Sequence, residues 1–174
     1  MKYIHKFLFL SAITALVLTS CNKIKDLPHY SNGTAVQLTS SKTSVVPTPA
    51  DSANVIISFS WTSPKYATDT STYKFILEID STGRNFSKEV TRVMSGKLNT
   101  SFTGQQINTI LADFGFAPNQ TVSLDLRITS SYGNNNERLF SNVVKISITP
   151  YLIPVTLVPS STSPVVLQVN NASN

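Results

Sequence analysis

Only one cysteine, Cys21, occurs in the 174 residues, which excludes an internal disulfide framework and any multi-cysteine zinc site. Histidine is almost as scarce. His5 and His29 both lie near the N-terminus, away from every strand pattern, so the globular part has no histidine for acid–base work. Three glutamates and nine alanines leave few strong helix formers. With six glycines there is no phosphate-cradling loop, and no G-x-S-x-G elbow occurs. No His/Cys/acid cluster has ligand spacing, so no metal and no cofactor is expected. What the chain has instead is 24 Ser, 20 Thr and 14 Asn, a strand-and-turn composition. Its hydrophobic share of 41% supports a core, and its length suits one domain.

The formal charge of +5 has to be located before it is used. Lys2 and Lys6 belong to a leader without acids, leaving +3 on the rest, where basic residues from Lys65 to Lys145 alternate with acids from Asp69 to Glu137. No basic tract forms, so nucleic acid is not an expected partner. Residues 1–20 read as a signal peptide: a basic start, then a mostly apolar run from Phe7 to Leu18 that is too short to cross a bilayer comfortably. Leu18-Thr19-Ser20-Cys21 resembles the bacterial lipobox, which implies cleavage before Cys21 and a diacylglycerol on its thiol. Two or more acyl chains make such an anchor stable. Residues 21–34 then form a polar tether. Position 22 is Asn, not the Asp that retains enterobacterial lipoproteins at the inner membrane. In lipoproteins of the Bacteroidetes type, an acidic cluster after the cysteine favours the outer face of the outer membrane, and here Asp26 is the one acid close by.

From Ala35 the hydrophobic period is two. Val55, Ile57, Phe59 and Trp61 share one strand face; Tyr73, Phe75, Leu77 and Ile79 repeat it; so do Val122 to Ile128 and Val144 to Ile148. On the second strand Lys74, Glu78 and Asp80 fall on the other face, where they are expected to be solvated. Weaker strands fill Val36–Leu38 with Val45–Val46, Phe86–Met94 and Thr100–Thr103. One helix is expected over Gln105–Phe114, capped by Thr103 and stopped at Gly115. Roughly seven strands and one short helix over 35–151 predict an all-β fold: a two-sheet antiparallel β-sandwich of immunoglobulin or fibronectin type III kind, with Trp61 in its core. Residues 152–174 read either as a Pro/Ser-rich linker opening an incomplete second domain or, through Val165–Val169, as an added edge strand.

Glu78 and Asp80 are close enough along one strand to suggest a carboxylate pair, but a wet sheet face makes them solubilising charges, and no enzyme activity is expected. Sugar recognition needs exposed rings flanked by hydrogen-bonding groups. The loop after Trp61 (Lys65, Tyr66) and the loop after Thr129 (Tyr132, Asn134, Asn135, Asn136) fall at one end of such a sandwich. Tyr66, Tyr132, Asn134 and Asn135 are therefore the candidate carbohydrate-binding residues, the alternative being that the tyrosines cover the sandwich end and the asparagines make a turn.

The lipobox, the short tether, Phe59-Ser60-Trp61, the Tyr73–Asp80 strand, the helix and the run Phe140-Ser141-Asn142-Val143-Val144-Lys145-Ile146-Ser147-Ile148-Thr149-Pro150-Tyr151 occur in an order that resembles the N-terminal domain of the SusE family of outer-membrane lipoproteins. The resemblance covers about residues 1–151. It implies a non-catalytic, lipid-anchored outer-membrane protein facing the cell surface, which helps capture starch or a related polysaccharide. The partners it implies are a glycan-uptake porin and that porin's partner lipoprotein. It also implies that the N-terminal immunoglobulin-like module is a spacer or docking unit, with the glycan-binding modules beyond it absent from this chain. A direct glycan-binding module and a generic fibronectin-like surface module are the alternative readings.

Overall fold

The computed structural model describes residues 30–153; the segment expected to be a signal peptide, Cys21, most of the expected tether and Val165–Val169 lie outside the described residues. Among the described residues, nine strands form two sheets. The smaller has the order β1 (Leu38–Ser40), β3 (Val55–Trp61), β6 (Asn99–Thr103). The larger runs β2 (Ser44–Val45), β9 (Val144–Ile148), β7 (Val122–Tyr132), β4 (Tyr73–Ser81), β5 (Val90–Ser95), with β8 (Leu139–Phe140) also paired to β7. Helix α1 (Gly104–Asp113) follows β6 directly. This is the expected all-β sandwich with one short helix.

The four alternating segments become β3, β4, β7 and β9, and their apolar faces meet between the sheets. Phe59, Phe75, Leu77, Leu126, Ile128 and Ile146 are buried there. The long β4–β7 pairing, Tyr73↔Tyr132 through Ser81↔Leu124, fixes the register of the larger sheet. A one-residue slip would turn every one of these side chains to the wrong face. Trp61 lies in the core, its ring 5.5 Å from that of Phe75. Its indole N–H is buried without a hydrogen-bond partner. On the side where β5 faces β6, Arg92 closes the sandwich. Its Nη1 donates to Thr100 Oγ1 (3.1 Å) and Ser101 O (3.0 Å), and its guanidinium lies 4.1 Å over Phe102.

Helix α1 starts as its sequence demands. Thr103 Oγ1 accepts from Gln106 N–H while Gln106 Oε1 accepts from Thr103 N–H, a reciprocal capping box. Ile107 and Leu111 bury one turn apart, and Gly115 at φ +82° ends the element. The opening residue must be small: a Cβ on Gly104 would lie 2.5 Å from the Asp51 carbonyl oxygen.

Three expectations are corrected. The sandwich is not wholly antiparallel, because the chain changes sheets after β1 and β2 pairs with β9 in parallel. The strand expected from Phe86 begins at Val90, because Asn85 (φ +53°) and Phe86 (φ +56°) are left-handed and cannot continue a ladder. Finally, Glu78 and Asp80 are buried, not solvated. The segment from Thr82 to Glu89 folds back over that face, where Asp80 accepts from Ser81 N–H (2.7 Å) and Lys88 N–H (3.3 Å) and pairs with Arg84 (3.5 Å). Glu78 accepts from Arg127 Nε at 2.6 Å and from the Thr129 hydroxyl. The Arg127 guanidinium is in turn held between the rings of Phe86 (4.0 Å) and Phe140 (4.5 Å). Neither carboxylate is therefore open to a substrate.

Candidate functional site

The loop leaving β3 and the loop leaving β7 do meet at one end of the sandwich, as read from the sequence. Tyr66 and Tyr132 stack there with ring centroids 4.8 Å apart, but their roles differ. Tyr66 is fully buried, so it cannot serve as a stacking surface for a sugar; this corrects its proposed role. Its hydroxyl lies 2.6 Å from the Glu137 carbonyl oxygen and 3.1 Å from both the carbonyl and hydroxyl oxygens of Ser130, which ties the two loops together. Burial pushes the Tyr66 phenol above its ordinary pKa, because the charged phenolate would lose its water.

Tyr132 is half-buried and stands in front of Tyr66. Its hydroxyl has two backbone acceptors in reach, Tyr66 O (2.6 Å) and Ser31 O (2.8 Å), and accepts from Ser31 N–H (3.2 Å). These bonds bring in a segment read from sequence as tether. Tyr30 forms a bridge with Ala67, and Ser31 N–H donates to Tyr66 O at 2.7 Å. Gly33 makes this approach possible: at φ +71° it turns the chain, and a Cβ there would stand 2.3 Å from the Tyr66 ring.

Tyr30 is 68% exposed, and its ring lies 6.1 Å from that of Tyr132 at an interplanar angle of 52°. Between and beside these rings opens a cleft of ≈ 550 Å³, walled by Ser31, Asn32, Thr72, Gly133, Asn134, Asn136 and Glu137. The side chains of Asn32, Thr72, Asn136 and Glu137 make no hydrogen bond to another described residue, so they remain available to a ligand. Asn134 lines the cleft and accepts from Asn136 N–H at 3.1 Å. Asn135, by contrast, is left-handed (φ +68°) and accepts from Lys74 Nζ at 2.8 Å, outside the cleft wall. Of the four expected residues, Tyr132 and Asn134 form the cleft, while Tyr66 and Asn135 brace it.

Tyr30, Asn32, Thr72 and Glu137 were not foreseen. The only signal for the first two was Asn32-Gly33, a turn pair just ahead of the first strand. The cleft is suited to binding through ring faces and amide hydrogen bonds. It contains one carboxylate, that of Glu137, and no histidine, cysteine or basic side chain. Among the described residues, no three His, Cys, Asp or Glu are grouped so as to hold a metal.

The family model for SusE outer membrane protein matches residues 23–129. The chain belongs to the SusE family. No curated protein matches it. Membership places it at the outer membrane, in polysaccharide utilisation. No helix among the described residues is long and apolar enough to cross a membrane. The SusE match takes in Tyr30, Asn32 and Thr72 but ends before Tyr132–Glu137, so one wall of the cleft is built by residues past the matched region.

Proposed function

We propose that this SusE-family chain acts without catalysis, as a lipid-anchored spacer or docking module whose C-terminal end is held away from the outer membrane during capture of starch or a related polysaccharide. The observation that carries this reading is the position of the two ends of the sandwich's chain. Tyr30 and Ser31 are fastened beside Tyr132, at the end of β7, whereas Pro150 and Tyr151 are fastened at its beginning, where Asn119 N–H donates to Pro150 O at 2.7 Å. Strand β7 has 11 residues, and at about 3.3 Å per residue it separates the two ends by roughly 33 Å. The departing end is fixed as well. Buried Asn108 accepts from Tyr151 N–H (2.9 Å) and donates to Tyr151 O (3.0 Å), and the Tyr151 hydroxyl bonds Ser52 Oγ at 2.9 Å. A module with opposed, pinned ends converts an anchor at Cys21 into a standoff.

The test uses the full chain in vesicles, with a donor dye at Ile153→Cys and acceptor dye in the lipid headgroups. Transfer should be weak in the whole protein and strong once residues 35–151 are deleted. Equal transfer in both would refute the standoff. Docking is read separately, by co-purification with an outer-membrane porin, which a generic surface module would fail to show.

A further inference from the structure

We propose that the outer edge of β5, with the groove beside it, takes up Val165–Val169 of the same chain as an added strand. The larger sheet ends at β5, which pairs only with β4 among the described residues. Gly96 N–H donates to Tyr73 O at 2.8 Å. The alternation of an antiparallel ladder then turns the backbone groups of Val90, Arg92 and Met94 toward β4, and those of Thr91, Val93 and Ser95 outward. Such a row of N–H and C=O groups is a template for another strand. The other edges offer less. On β1, Asn142 accepts from Leu38 N–H (2.8 Å) and donates to Leu38 O (3.1 Å). On β6, Gln106 accepts from Thr103 N–H and Arg92 donates to Ser101 O, while β2 has only two residues.

Beside the open edge lies a groove of ≈ 400 Å³ between β5, β6 and helix α1, where Ile79, Val90, Phe102 and Ile110 meet the exposed Gln105 and Thr109. Arg92 is the one charged side chain lining it, and its guanidinium is already engaged by Thr100, Ser101 and Phe102. A strand paired to β5 turns every second side chain toward this groove, so that main-chain bonds supply affinity and the groove supplies fit. The occupant must be extended, apolar at alternate positions and uncharged.

Val165–Val169 has those properties. Val165, Leu167 and Val169 alternate with Val166 and Gln168, no proline interrupts the run, and residues 154–174 contain no charged side chain. Chain geometry selects the same segment. Tyr151 is held to Asn108, on the helix whose Gln105 and Thr109 line the groove. From β9, just before Tyr151, to a strand beyond β5 the sheet spans four strand spacings, about 19 Å. Twelve residues from Ile153 to Val165 reach up to about 40 Å. The earlier run Val155–Val158 starts two residues past Ile153, within about 7 Å, and falls short. This inference goes beyond the standoff reading, and its failure would leave that reading intact, because the dye at residue 153 precedes the docked segment.

The experiment is amide hydrogen exchange on the full chain in detergent micelles. Thr91, Val93 and Ser95 should be protected. Leu167→Asp, which puts a charge into the groove, should speed exchange at these three by about tenfold or more, while Arg92 and Met94, bonded to β4, keep their rates. Val166→Asp, on the opposite face of the run, should change none of them. Position 167 lies outside the sandwich, and unchanged Trp61 fluorescence would show that the fold survives. Fast exchange at Thr91, Val93 and Ser95 in the unaltered chain, rates indifferent to Leu167→Asp, or equal effects of the two substitutions would each overturn the docking. So would protection that rises with protein concentration, which would assign the edge to a second copy of the chain.

Discussion

Replacing Arg127 with methionine would strand the Glu78 carboxylate beneath the folded-back loop. The Glu78 side chain is 7% exposed and that of Arg127 25%, so the pair is neither a surface ion pair nor a fully dry one. Breaking a buried pair by removing one partner costs about 3–5 kcal/mol, because the remaining charge keeps its desolvation penalty. Two features place this case near the lower limit. The Thr129 hydroxyl still donates to Glu78, and the partly exposed arginine site lets water in. The two cation–π contacts to Phe86 and Phe140, each about 0.5–1 kcal/mol, are partly replaced by sulfur–aromatic contacts from methionine. The expected loss is thus about 3 kcal/mol. Urea unfolding followed through the single tryptophan, Trp61, reads it directly. With a slope of about 1–3 kcal/mol/M, the midpoint should fall by roughly 1–3 M. Adding Glu78→Gln to Arg127→Met removes the stranded charge and should recover part of the loss, giving a coupling energy well above that of an exposed pair. A single-variant loss below about 1 kcal/mol, with no recovery in the double variant, would falsify the argument, since that is how a solvated surface pair behaves.

Three further predictions concern the two ends of the sandwich. Gly33→Ala should destabilise by about 2–4 kcal/mol by the same urea assay, since it combines a left-handed backbone with a Cβ forced into the Tyr66 ring; a neutral effect would mean that the segment before β1 is not bound where described. The raised Tyr66 pKa makes alkaline stability a test: a phenol held neutral in the fold contributes stability below the ordinary pKa of about 10, and loses it as the pH rises through the folded value. Tyr66→Phe should therefore lower stability at neutral pH but flatten its decline above about pH 10, and an unchanged alkaline slope would contradict the assignment of that decline to Tyr66. Asn108→Ala leaves the N–H and C=O of Tyr151 without their partner and should cost about 2–4 kcal/mol, with faster amide exchange at Tyr151; retained protection there would show that other groups hold the departing chain.

Much of this fold was legible because its signals are local. The alternation along Val55–Trp61, Tyr73–Ile79, Val122–Ile128 and Val144–Ile148 reports burial of one strand face wherever the partner lies, and Thr103 with Gln106 specifies a helix start within four residues. The same alternation misled at Glu78 and Asp80. It shows correctly that they face away from the core, but not that Asn85 and Phe86 bend a loop back over them, since a left-handed phenylalanine has no sequence signature. At the candidate site, the meeting of two loops followed from sandwich geometry, and Tyr132 and Asn134 with it. The burial of Tyr66 did not, because it depends on Gly33 and Ser31, more than thirty residues earlier, packing against it. Tyr30 was hidden for the same reason: nothing nearby in sequence distinguishes a bound segment from a free tether.

The parallel pairing of β2 with β9 has a mechanical consequence. A pull applied between Tyr30 and Tyr151 draws β2 toward one end of the sandwich and β9 toward the other, parallel to their own axes. The bonds that Ser147 and Thr149 make to Thr43 O (2.9 Å) and Val45 O (3.1 Å) are then loaded together in shear, and cannot be unzipped one at a time. The antiparallel β1–β3 pairs, Leu38↔Trp61 to Ser40↔Phe59, are loaded in the same sense. Tension passed along the chain from Tyr30 to Tyr151 would therefore load both pairings side-on, so that their bonds must give way together.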